Sequence, residues 1–247
     1  AGYPIGAVIS GMVAASVIPS FGWPFIFQIA GFCSFFSFPL VYFFLNESKE
    51  FVSKKQDASN NSIKELLKVD HREPTVKLWN SIFLAFATLY FLTTWIPKLA
   101  SVAGLSEKLA IYSGTVFNLG AFVGIVLQGY LSGKFGLEKT IASFLFFTSI
   151  LMLLFHFFVG SNMVLVIFGL IGFGIQGGFV GLYSLAAKIY PTNIRATGIG
   201  GAVGIGRIGA IIGPLLGGLL IGMGLTIGTN FMIFAVPIII GGLVVLL

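Results

Sequence analysis

The chain has 247 residues, 57% of them hydrophobic and only 9% charged, with a mean hydropathy of +1.02. That composition excludes an ordinary soluble domain, in which about a quarter of the residues carry charge. The formal charge of +6 does not point to nucleic acid, because the basic residues gather in alternate polar connections, and the single cysteine, Cys33, excludes an internal disulfide and a cysteine-cluster metal site.

Crossing a bilayer takes about 20 apolar residues, and stretches of that order recur at roughly 2–18, 24–45, 78–98, 109–131, 140–159, 162–187, 197–222 and 228–247. They predict an all-α polytopic membrane protein with eight transmembrane helices. The first stretch lacks the charged start and cleavage site of a signal peptide. Between the second and third stretches lies the one long polar connection, with Lys49, Lys54, Lys55, Lys64, Lys68, Arg72 and Lys77. Lys134 and Lys139 mark the next alternate connection, and Lys188 and Arg195 the one after. The intervening connections carry no Lys or Arg, apart from the one flanked by Lys98 and Lys108. This is the positive-inside pattern, and it places the long connection in the cytoplasm. The two glycosylation sequons at Asn46 and Asn60 would then face inward and be accidental. Ala1 at the edge of an apolar stretch and Leu247 within another lead us to expect a piece of a longer protein.

Glycine-rich stretches followed by proline-containing ones occur twice, with Pro39 in the first pair and Pro237 in the second. The echo fits two related halves and equally fits general glycine enrichment in membrane helices.

Arg207 is the residue with the sharpest chemical demand. A guanidinium keeps its charge, so in the glycine-rich run from Gly198 to Gly218 it must face protein, water or an anion. If its helix starts near Thr197, Arg207 lies about 15 Å deep, near the midplane. A bound carboxylate would satisfy it with two parallel hydrogen bonds. A fixed ion pair or unwound backbone are the alternatives. All eight Asp and Glu residues fall in connections or at helix ends, so none supplies a titrating group at mid-membrane. His156 falls near a helix end among Phe155, Phe157 and Phe158, where packing rather than proton relay is expected.

Gln176 and Tyr183 are seven residues apart and share a helix face with Phe179, which suits an aromatic acid. Tyr90, Thr94, Trp95 and Asn118 are further candidate binding residues, each of which interhelical hydrogen bonding or an interfacial aromatic belt would also explain. Arg195, beside Tyr190-Pro191, is expected to anchor a loop or gate. An intramembrane enzyme is disfavoured, since no nucleophile or metal-binding motif occurs and the two histidines are far apart. No cofactor or metal is expected.

The run from Ala186 through Lys188-Ile189-Tyr190-Pro191-Thr192-Asn193-Ile194-Arg195-Ala196-Thr197-Gly198 to Gly213-Pro214 resembles the aromatic acid:proton symporters of the major facilitator superfamily. Gly2-Tyr3-Pro4-Ile5-Gly6, Phe21-Gly22-Trp23, Leu45-Asn46-Glu47-Ser48, Phe117-Asn118-Leu119-Gly120 and Gly174-Ile175-Gln176-Gly177 extend the likeness over the whole chain, as helices five to twelve of twelve. The resemblance implies that residues 1–45 are the last two helices of an N-terminal bundle, 46–77 a cytoplasmic inter-bundle loop and 78–247 a six-helix C-terminal bundle. In the family's loop between helices eight and nine, Gly129, Lys134 and Gly136 keep the expected frame, but Gly133 replaces the acidic residue, implying a weaker latch. The resemblance implies proton-coupled uptake of an aromatic carboxylate, such as a (hydroxy)benzoate, by a monomer spanning the bacterial inner membrane. The proton-carrying acids would lie in the family's first and fourth helices. Transport of another organic anion or small metabolite, or export, is the runner-up.

Overall fold

A computed structural model describes residues 2–44, 66, 68–161, 163–192 and 194–247. Lys49, Lys54, Lys55, Lys64 and both sequons lie outside them. The described residues form eight α-helices and one short 3₁₀ turn, with no strand among them. The chain divides into two compact units, one of Gly6–Asn61 and the other of Ala1–Ile5 with Ser62–Leu247.

The smaller unit holds most of α1 (Gly2–Phe21) and α2 (Pro24–Phe44). Gly22 turns the chain between them with φ +76°, and Pro24 starts α2 where its missing N–H costs nothing. Along α2 apolar side chains predominate, with Phe32 on Phe36 and Phe38 on Tyr42 one turn apart.

The larger unit contains α3 (Val69–Val102), α4 (Glu107–Phe135), α5 (Leu137–Leu154) with a 3₁₀ turn at Phe155–Phe158, α6 (Met163–Ile189), α7 (Arg195–Gly222) and α8 (Ile227–Leu246). Among the described residues, seven helices are long and apolar enough to cross a membrane, and α1 is a further apolar helix of 20 residues. The eight helices each cover one of the eight apolar stretches of the sequence, differing mainly at their ends. Helix α3 also begins well before residue 78, inside the polar connection expected to run to 77. The polar residues there extend the helix, and Glu73 and Lys77 pair at 2.7 Å one turn apart.

Close pairing of helices follows from glycine. At Gly209 and Gly213 of α7, a Cβ would run into the carbonyl oxygens of Phe83 and Ala87, so the two backbones of α3 and α7 touch. On α4, Gly120 and Gly124 meet the carbonyls of Gly169 and Phe173 of α6 in the same way, and Gly172 answers against Phe117. Small residues give membrane helices this approach, and the dispersion contact it allows replaces the hydrophobic effect that lipid does not supply. Helix α8 closes on α3 through the stacked rings of Phe91 and Phe234, 3.8 Å between centroids. Ser81 and Thr88 donate to the carbonyls of Gly241 and Phe234 across the same seam. His156 sits exposed on the 3₁₀ turn, near the end of the Leu137–Phe158 span, its ring against Gly228 at the start of α8.

Candidate functional site

Arg207 lies twelve residues after Arg195, the first residue of α7, about 18 Å along the axis. Gly206 beside it packs against Ile82 and Phe86, which brings the guanidinium to the side of α3 that carries aromatic rings. Its Nη1 donates to the Tyr90 hydroxyl at 2.9 Å, and its Cζ lies 5.8 Å from the Phe86 ring centroid and 6.0 Å from that of Tyr90. Rings at this distance stabilise the cation by about 0.5–1 kcal/mol each at an accessible site. The ion pairs among the described residues are Glu73 with Lys77 and Glu138 with Lys188, so no described carboxylate neutralises Arg207. Tyr90 occupies one of five guanidinium N–H donors.

A cavity of about 250 Å³ opens here, lined by Phe86, Tyr90, Gln176, Phe179, Tyr183 and Arg207 among others. Phe86 stands edge-on to Phe179 at 4.7 Å and stacks with Tyr90 at 5.7 Å, and Phe179 meets Tyr183 at 5.3 Å. The volume is below the range of about 300–1,000 Å³ typical for drug-sized ligands and suits a single-ring molecule. A cation, aromatic walls and an amide in one small space can hold a planar organic anion. A second cavity, of about 220 Å³, lies by Glu73, Lys77 and Glu138, whose charges are already paired.

The structure thus brings Arg207, Tyr90, Gln176 and Tyr183 together, and leaves three other sequence candidates, Trp95, Asn118 and Thr94, outside the lining. The Trp95 indole donates to the Pro214 carbonyl at 3.0 Å and covers Gly217 and Gly218, tying α3 to α7. Asn118 donates to the Gly114 carbonyl of its own helix at 2.8 Å. Both polar groups are satisfied by backbone. Thr93 lines the cavity while Thr94 is exposed elsewhere, and Phe86 was not singled out from sequence at all. The spacing Phe86, Tyr90, Thr93 is the i, i+4, i+7 signal that carries them.

The loop residues form a separate cluster. Arg195 donates through Nε to the Tyr190 carbonyl at 3.2 Å, and the buried Tyr190 hydroxyl donates to Thr75 at 3.2 Å, so α3, α6 and α7 are held at one end. Burial pushes the Tyr190 phenol above its ordinary pKa. Gly136, at φ +92°, makes the one-residue junction of α4 and α5, and Lys134 lies 5.4 Å over the Phe135 ring. A Cβ at Gly129 or Gly133 would meet open space. The carboxylate near this junction is Glu138, which pairs with Lys188 at 2.7 Å. Sequence reading missed that pair, and at its exposure it contributes about 0–1 kcal/mol.

Apolar helices of crossing length define a multi-pass membrane protein. The chain belongs to the Major Facilitator Superfamily, whose family model matches residues 1–136 and 112–247. Its relatives include the benzoate transport protein of Acinetobacter baylyi, 27% identical over 97% of this chain and 58% of that protein. The gentisate transporter of Corynebacterium glutamicum is 32% identical over 98% of this chain and 56% of its own length. A 4-hydroxybenzoate transporter of Acinetobacter baylyi is 28% identical over 90% and 56%. All three are named as transporters rather than enzymes, and the chain spans a little over half the length of each.

Proposed function

We propose that the protein carrying this chain is a proton-coupled secondary transporter that takes up an aromatic carboxylate, such as a hydroxybenzoate, across the bacterial cell membrane by alternating access. Arg207 binds the carboxylate in this reading. The observation that carries it is a fixed cation in an aromatic-walled cavity whose hydrogen-bond partner, Tyr90, is neutral. A carboxylate neutralises the guanidinium with matched geometry, and a flat ring fits beside Phe86 and Phe179. Relatives named for benzoate, gentisate and 4-hydroxybenzoate transport support the substrate class.

Arg207 cannot titrate, and the described acids Asp70, Glu73, Glu107 and Glu138 stand in the first turns of α3, α4 and α5 or just beyond them. We therefore propose that none of these described acids carries the coupling proton. The test is uptake of labelled benzoates by the intact protein in proteoliposomes, with and without an imposed proton gradient. Accumulation that collapses when an ionophore dissipates the gradient is expected. Uptake indifferent to the gradient would sink the coupling, and no uptake of any aromatic acid would sink the substrate class.

The distribution of basic residues supports an orientation with the Lys134 and Arg195 ends in the cytoplasm. In a Cys33→Ser background, Ser132→Cys should react with an impermeant maleimide only from the cytoplasmic face and Ser161→Cys only from outside. Labelling of both from one face would refute this topology.

A further inference from the structure

Gln176 is only 4% exposed, yet its side-chain amide bonds to no described residue. The sealed, unpaired side-chain atoms among the described residues are Trp79 Nε1 and Asn230 Oδ1, so the Gln176 amide is not closed off by protein but opens on the cavity it lines. Gln176 stands thirteen residues before Ile189 at the end of α6, and Arg207 twelve after Arg195 at the start of α7. The two helix ends adjoin in the chain, so amide and guanidinium lie at about the same depth, roughly 18–20 Å in, on different walls of one cavity. A ring that fills this space displaces the water that would otherwise solvate the amide, and an unsatisfied buried amide costs about 1–3 kcal/mol. Tyr183, on the same face of α6, is only part-buried and makes no comparable demand.

We propose that Gln176 reads a hydroxyl group on the substrate ring, so that the site prefers meta- or para-hydroxylated aromatic carboxylates to the unsubstituted acid. This rests on Arg207 taking the carboxylate. An amide offers both a donor and an acceptor, as a phenol hydroxyl does. A rigid ring with its carboxylate on Arg207 carries such a hydroxyl toward a different wall. An ortho hydroxyl folds back onto its own carboxylate and cannot serve. Sites that bind a substrate hydroxyl reject the analogue without it, because their own polar group is left unpaired.

The experiment is uptake of labelled 4-hydroxybenzoate by the intact protein, competed by unlabelled benzoate and by 2-, 3- and 4-hydroxybenzoate. The 3- or 4-isomer should compete at least about tenfold better than benzoate, with the 2-isomer grouped with benzoate. Gln176→Leu and Gln176→Met should bring that ratio to within about threefold of one. Gln176→Asn, which keeps the amide one methylene short, should compress it in a protein that stays folded even where the apolar variants do not. Equal competition by all four acids in the unmodified protein, or an unchanged ratio in any variant that is inserted and active, overturns the inference and leaves the role of Arg207 intact. Failure of every aromatic carboxylate to be taken up or to compete overturns the role of Arg207, and this inference with it.

Discussion

Uptake by an Arg207→Lys variant is expected to fall nearly as far as uptake by Arg207→Ala. Lysine keeps the charge but places it as a compact, strongly hydrated point, without the planar fork that grips two carboxylate oxygens. Each hydrogen bond to a charged group contributes about 1.5–3 kcal/mol, so losing one of two raises the half-saturating concentration about ten- to a hundredfold. Lysine also alters the approach of the cation to the Phe86 and Tyr90 rings, whose centroids lie 5.8 and 6.0 Å from the Arg207 Cζ. Alanine removes both bonds and leaves the Tyr90 hydroxyl without the donor that now orients it. The measurement is initial uptake rate against substrate concentration at matched membrane expression. Near-normal uptake by the lysine variant would mean that a point charge suffices, which is the behaviour of an ion pair and not of a carboxylate clamp.

Arg207 was legible because one fixed charge in a membrane-length apolar run has few physical outlets, and the sequence around it leaves no doubt about the run. The helices were legible for the same reason, since composition alone separates lipid-compatible stretches from polar ones. What composition does not register is a polar segment that continues a helix, and α3 therefore starts at Val69 rather than near 78. Tyr90, Gln176 and Tyr183 meet Arg207 in one cavity, while Trp95 and Asn118 spend their donors on backbone carbonyls. Helical periodicity places all five on candidate faces and cannot tell which carbonyl lies within reach. Phe86 and Thr93 escaped because choosing the face of α3 requires its partner helix. That information is carried by the glycines of α7, whose contacts at Gly206, Gly209 and Gly213 fall on Phe86, Phe83 and Ala87.

Gly213 is where that partnership is least tolerant of change. A Cβ there would fall on the carbonyl oxygen of Ala87, which is backbone and cannot swing aside as a side chain can. Gly213→Ala must therefore push α7 off α3, and overpacking of a filled interior costs about 1–3 kcal/mol. With about 2–4 °C lost per kcal/mol in a unit of this size, the melting temperature of the purified protein in detergent should drop by about 2–12 °C. Gly213→Val should yield little folded protein. Gly241 on α8 is the matched control at another face of α3, because a Cβ there would meet Ser81 and Leu84 at 3.7–3.9 Å, ordinary contact. Gly241→Ala should be neutral or stabilise by up to about 1 kcal/mol, the helix-propensity gain of alanine over glycine. A Gly213→Ala protein that melts no lower than the unmodified one would show that the backbones do not touch there. Gly213 is six residues beyond Arg207 on the same helix, about 9 Å along the axis. A shift of α7 away from α3 carries the guanidinium away from Tyr90, so Gly213→Ala should weaken substrate uptake even at temperatures where the protein remains folded.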